Sequence, residues 1–141
     1  MSDSGFYATA MRGLPGVIDH WLTLGDAPVA RLGIILADTA RVAKLGEPEG
    51  DPDRATLEQW RTDTPPPLWA ARAAIFLLVQ MPARPAPRSP DECAAWAYVW
   101  IRLREHESPD QARAALPGHL QEALTLAIDH AWQDREALRL L

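Results

Sequence analysis

Cysteine occurs once in the 141 residues, at Cys93. No intramolecular disulfide can form, so the fold must rest on its core, and a reducing compartment, the cytoplasm, is the expectation. At this length a single globule buries roughly 68% of its unfolded-state surface and needs no metal or disulfide staple. Lysine also occurs once, at Lys44, against thirteen arginines. No glycine-rich phosphate loop carries that lysine. Serine is confined to Ser2, Ser4, Ser89 and Ser108, none in a Gly-x-Ser-x-Gly setting. The N-terminus has no basic stretch followed by an apolar run, which argues against a signal peptide. The longest near-apolar run, Pro65 to Met81, is interrupted by Arg72. It falls short of the roughly 20 apolar residues of a membrane span. With 19 acids against 14 bases the net charge is -5. The bases are scattered, with no aromatic-interleaved stripe, so nucleic acid is disfavoured as a partner.

What is present is helical patterning. Residues 1–13 are expected to be a flexible N-terminal segment, because Gly13, Pro15 and Gly16 break any earlier periodicity. Val17, Trp21 and Leu24 then suit one face of a short helix. Asp26 is the expected N-cap of a second helix, with Leu32, Ile35, Leu36, Thr39, Ala40 and Ala43 following at three- and four-residue steps and Gly46 as its stop. Asp53 is placed to cap a short helix carrying Leu57 and Trp60. From Leu68 to Met81 almost every residue is apolar, which predicts a central core helix over about 68–81. Ser89-Pro90-Asp91-Glu92 and Ser108-Pro109-Asp110-Gln111 share one layout: cap serine, first-turn proline, and Glu or Gln three residues after the cap. That is the capping-box pattern. After Pro117-Gly118 a long helix follows, with Leu120, Leu124, Ala127, Ile128 and Ala131 inward and Trp132 near that face. The expected fold is all-α, a compact irregular bundle of five to seven helices. It forms a single helical domain over 14–141, with loops near 46–53 and 82–89. No constant period marks a helical repeat.

Chemistry-bearing residues do not assemble along the sequence. Cys93 follows a helix N-terminus, which can favour a thiolate, but Asp91 and Glu92 oppose one. His106 lies thirteen residues on, about 20 Å along a continuous helix, too far for a dyad. His119 and His130 are about 16 Å apart on one helix and cannot share a metal ion. No His-Glu-x-x-His run and no specific carboxylate pair is found. Neither a catalytic residue, a metal ligand nor a cofactor is therefore assigned.

The leading expectation is a non-enzymatic protein-interaction domain, such as a small bacterial adaptor, accessory or neutralising protein. Its candidate contacts are Glu47, Glu49, Asp51, Asp53, Trp60, Trp96 and Trp132. The first four belong to the stretch Glu47 to Asp63, where six acids against two arginines give a net charge of -4. Such a strip would steer a basic partner, while tryptophans would hold it. A second copy of the chain is also an admissible partner. The competing expectation is a small helical enzyme or ligand-binding protein, with a pocket assembled from histidines and acids on different helices.

Overall fold

In the computed structural model, which describes residues 2–139, seven helices are present and no strand. In chain order they are α1 (Ser2–Leu24), α2 (Val29–Val42), α3 (Arg54–Thr62), α4 (Leu68–Leu78), α5 (Pro90–Leu103), α6 (Pro109–Ala114) and α7 (Gly118–Arg139). No helix among the described residues is long and apolar enough to cross a membrane. The helices fall into two compact units, one comprising Met1–Gly13 with Ala86–Leu141 and the other Leu14–Pro85.

The first correction concerns α1. The segment expected to be flexible is helical from Ser2, and Gly13, Pro15 and Gly16 all lie inside the helix. Local helix-breaking preferences are overridden by burial. Ala10, Leu14, Val17, Ile18 and Trp21 form a buried stripe at three- and four-residue steps. Gly13 is buried too, against the backbone at the start of α5. Only a residue without a side chain fits there. A Cβ at position 13 would stand 2.5 Å from the carbonyl carbon of Asp91 and 2.9 Å from the amide nitrogen of Glu92.

In the unit Leu14–Pro85, α2 packs on α3 and α4. Leu32, Leu36, Ala37 and Ala40 face inward from α2, Leu57 from α3, and Ala70, Ala71, Ala73, Ala74, Ile75 and Leu78 from α4. The helix expected over 68–81 stops at Leu78. Two short turns follow, with Gln80 N–H donating to Leu77 and Met81 N–H to Leu78, before Pro82. Proline restricts the residue before it to extended conformations, which explains the early stop. Two further expectations shift. α2 begins after Pro28, with no side-chain cap, so Asp26 does not cap it. Its end is marked by Lys44 (φ 59°), not by Gly46, with Leu45 N–H bonded back to the Ala40 carbonyl at 2.8 Å. Asp53 does cap α3, accepting from Thr56 N–H at 2.8 Å.

In the other unit α5 and α6 pack on α7. Both serine caps form. Ser89 accepts from Glu92 N–H at 3.2 Å and Ser108 from Gln111 N–H at 3.1 Å. The reciprocal bond of each cap reaches one residue further back than the ordinary capping box. Glu92 accepts from Arg88 N–H at 3.0 Å, and Gln111 from Glu107 N–H at 2.5 Å. Trp100 donates its indole N–H to the Ala112 carbonyl at 2.9 Å, tying α5 to α6. Arg135 ties α7 to the Ile101 carbonyl at 3.0 Å.

Candidate functional site

The unit holding α5 and α7 has a groove of about 990 Å³. Three stretches form it, and each reaches its place for a local reason. The first is the beginning of α1, where Phe6 and Thr9 lie three residues apart on one face. The second is the extended, proline-rich approach to α5 and its first turn, from Pro87 through Ser89, Pro90 and Cys93 to Ala94. The Ser89 cap and the Arg88–Glu92 ion pair, at 3.0 Å, hold that turn in position. The third is α7, whose Ala123, Leu126, Ala127, His130, Gln133 and Asp134 recur at helical spacing. From Ala123 to Asp134 this wall is roughly 16 Å long, or three helical turns.

Most of the lining is apolar. Leu126 is 72% exposed and is the large apolar side chain that α7 contributes to the groove. The polar side chains are Thr9, Ser89, Cys93, His130, Gln133 and Asp134. Cys93 and His130 thus line one groove, although sequence reasoning paired Cys93 only with His106. α5 ends at Leu103, and His106 instead stacks on Trp100 with ring centroids 6.4 Å apart. Burial, together with the Arg135 charge, lowers the His106 pKa. The one hint of the groove available in sequence was His130 and Asp134 at four-residue spacing on one helix.

Burial, reinforced by the Glu92 carboxylate, pushes the Cys93 pKa up. At the helix N-terminus the amides of Glu92 and Cys93 are already engaged. Glu92 N–H goes to the Ser89 hydroxyl, and Cys93 N–H to the Ser89 carbonyl at 2.9 Å. No group of three or more His, Cys, Asp or Glu among the described residues is placed to hold a metal ion. Behind α1, Tyr7 packs edge-on against Tyr98 at 6.0 Å, and the Arg102 guanidinium lies 3.8 Å from the Tyr98 ring centre.

The contact residues expected from sequence do not converge on this groove. Trp96 is 1% exposed and belongs to the core, which removes it as a surface contact. It shares the inward face of α5 with Trp100 and Leu103, at four- and three-residue steps. Trp132 is half-buried on α7, with the Arg135 guanidinium 4.3 Å from its ring centre. Trp60 belongs to the other unit and is half-buried, edge-on to Trp69 at 6.0 Å. Of the acids, Glu47 and Glu49 are exposed. Asp51 pairs with Arg41 at 3.3 Å. Asp53 is committed to its cap, whose backbone hydrogen bond from Thr56 lowers the carboxyl pKa. Comparison of the chain with family models, curated proteins and solved structures yields no match.

Proposed function

We propose that this chain is a protein-binding domain whose groove between the start of α1, the first turn of α5 and α7 receives the apolar face of a partner helix. The observation that carries this reading is Leu126, 72% exposed in a largely apolar groove. Covering its side chain would contribute about 1–2 kcal/mol. A wall three turns long matches a helix that anchors itself at three- and four-residue steps. Exposed Glu47 and Glu49 would add salt-sensitive steering of a basic partner, affecting association rate more than affinity. The single cysteine suits a cytoplasmic setting, and the net charge of -5 disfavours a nucleic-acid partner.

Helical peptides selected from a displayed library against the immobilised protein test the reading. Selected peptides should shift the amide resonances of Phe6, Ala94 and Leu126. They should lose binding to Leu126→Glu and keep it to Leu138→Glu, since Leu138 is 54% exposed on the same helix but outside the groove. Equal binding to both variants would place the contact elsewhere.

A second reading is favoured by the presence of Cys93, His130 and Asp134 in one groove: a pocket for a small molecule, with imidazole and carboxylate as proton carriers. A fragment screen by NMR decides it. Fragments that shift the His130 ring signals while helical peptides fail to bind would favour the pocket.

A further inference from the structure

The groove between the start of α1, the first turn of α5 and α7 changes character along its α7 wall. Ala123, Leu126 and Ala127 make one end apolar, and His130, Gln133 and Asp134 make the other end polar. With histidine counted as neutral, Asp134 carries the one formal charge of the lining. Cys93 adds none at neutral pH, because burial and the Glu92 carboxylate hold its proton on.

The cations around the groove are committed elsewhere. Arg88 pairs with Glu92 at 3.0 Å and Arg12 with Asp91 at 3.5 Å, so each of these acids has its own base. Arg102 lies 3.8 Å from the Tyr98 ring centre and donates to the Tyr98 carbonyl at 3.0 Å. Arg135, the residue after Asp134, donates to the Ile101 carbonyl at 3.0 Å and holds its guanidinium 4.3 Å from the Trp132 ring centre. None of these arginines lines the groove. A partner that covers the groove therefore meets apolar surface along most of its length and one half-buried carboxylate at one end. Covering that carboxylate with apolar side chains alone would strip its water and give nothing in return, which is costly for a charged group.

We propose that the partner helix is cationic at one end, with a lysine or arginine that engages Asp134 placed about two turns from the large apolar side chain that covers Leu126. This inference rests on the reading of the groove as a helix-binding site. The spacing follows from α7. Leu126 and Asp134 are eight residues apart in sequence, about 12 Å along a helix axis at about 1.5 Å per residue. A helix lying alongside spans that distance in about the same number of residues, and steps of about seven or eight return a side chain to the same face. Between the two anchors, His130 and the exposed Gln133 offer hydrogen bonds to polar residues of the partner. A helix with an acid opposite Asp134 is rejected by like-charge repulsion, the other half of the selectivity.

The helical peptides selected against the immobilised full chain are sequenced, and the tightest is synthesised with lysine or glutamine at the position of its cation. Selected sequences should carry Lys or Arg at a spacing of about seven or eight residues from a large apolar residue. Titrated at about pH 8, where histidine is neutral, the lysine peptide should bind about threefold to tenfold more tightly than the glutamine peptide, and the ratio should shrink in high salt. Gln133→Lys, at an exposed position, should weaken the lysine peptide and spare the glutamine one. Asp134→Asn, checked for fold by circular dichroism, should bring the two peptides to equal affinity. Helical peptides that bind through Leu126 without a cation at that spacing, or a lysine preference unchanged in both variants, overturn the inference and leave the helix-binding reading in place. Failure to select any helical peptide overturns both. Enrichment of acidic peptides, or a chain that light scattering finds dimeric and that Leu126→Glu makes monomeric, assigns the groove to another occupant and overturns the cationic helix.

Discussion

Replacing Gly13 with alanine sets two physical effects against each other. In a helix interior, alanine is favoured over glycine by about 0.5–1 kcal/mol. At Gly13 the added Cβ would stand 2.5 Å from the Asp91 carbonyl carbon and 2.9 Å from Glu92 N. Carbon atoms prefer about 3.5 Å or more, so the first turn of α5 would have to recede by about 1 Å. That turn cannot move freely. It is held by the Ser89 cap, by the Arg88–Glu92 pair, and by Arg12 on α1, 3.5 Å from Asp91. Overpacking of a well-filled site costs about 1–3 kcal/mol, and a clash with backbone belongs near the upper limit. After the helix gain is subtracted, Gly13→Ala should lose about 2 kcal/mol. Gly5 is the control: it lies in the same helix and a Cβ there meets nothing within 4 Å. Gly5→Ala should be neutral or stabilising by up to about 1 kcal/mol, giving a difference of about 2–3 kcal/mol between the variants. Urea unfolding followed by tryptophan fluorescence and far-ultraviolet circular dichroism measures it. If Gly13→Ala proves as stable as Gly5→Ala, α1 and α5 do not approach as described.

Ser89→Ala and Ser108→Ala should each lower stability by about 0.5–2 kcal/mol in the same unfolding assay, and no loss in either would contradict the cap geometry. Alkylation of Cys93 by iodoacetamide should keep accelerating past the ordinary thiol value of 9.0, because burial and Glu92 hold the proton on; a rate that levels off below about pH 8 would mean an activated thiolate. His106 has its pKa lowered in the fold, so the native state disfavours the imidazolium. Its favourable contribution is present above the unfolded value of 6.5 and is lost as pH falls toward the lower native value. The stability advantage of the parent over His106→Gln should therefore shrink on acidification through this range, and a pH-independent difference would show that the ring is not desolvated.

Features determined within one turn of chain were legible in the sequence. Asp53, Ser89 and Ser108 cap because a short side chain needs only an amide three residues away, and no distant contact competes. Features decided at long range were not. Gly13, Pro15 and Gly16 carry the local chemistry of a break, yet α1 continues through them because Gly13 meets Asp91, 78 positions later in the sequence. The end of α2 misled for a related reason. Gly46 was the conventional stop, but its freedom is needed for passage by Trp69, and Lys44 takes the left-handed turn. Trp96 and Trp132 have equal claims to a surface on residue type alone, and the packing of α5 separates them.

The groove illustrates why residue type alone does not decide between binding and catalysis. Cys93, His130 and Asp134 are the side chains a reaction would use, and the fold brings them to one groove from α5 and α7. Nucleophilic use of a cysteine requires the thiolate. Here the amides of Glu92 and Cys93 are already bonded to Ser89, and Glu92 adds a negative charge beside the sulfur. The same hydrogen bonds that secure the start of α5 therefore work against reactivity at Cys93. The apolar wall has no such opposition. Leu126 loses water contact whenever a complementary face covers it, and α1 and α5 already provide the facing sides. Burial is the contribution this groove can make without rearrangement, and the proposal of a bound helix rests on it.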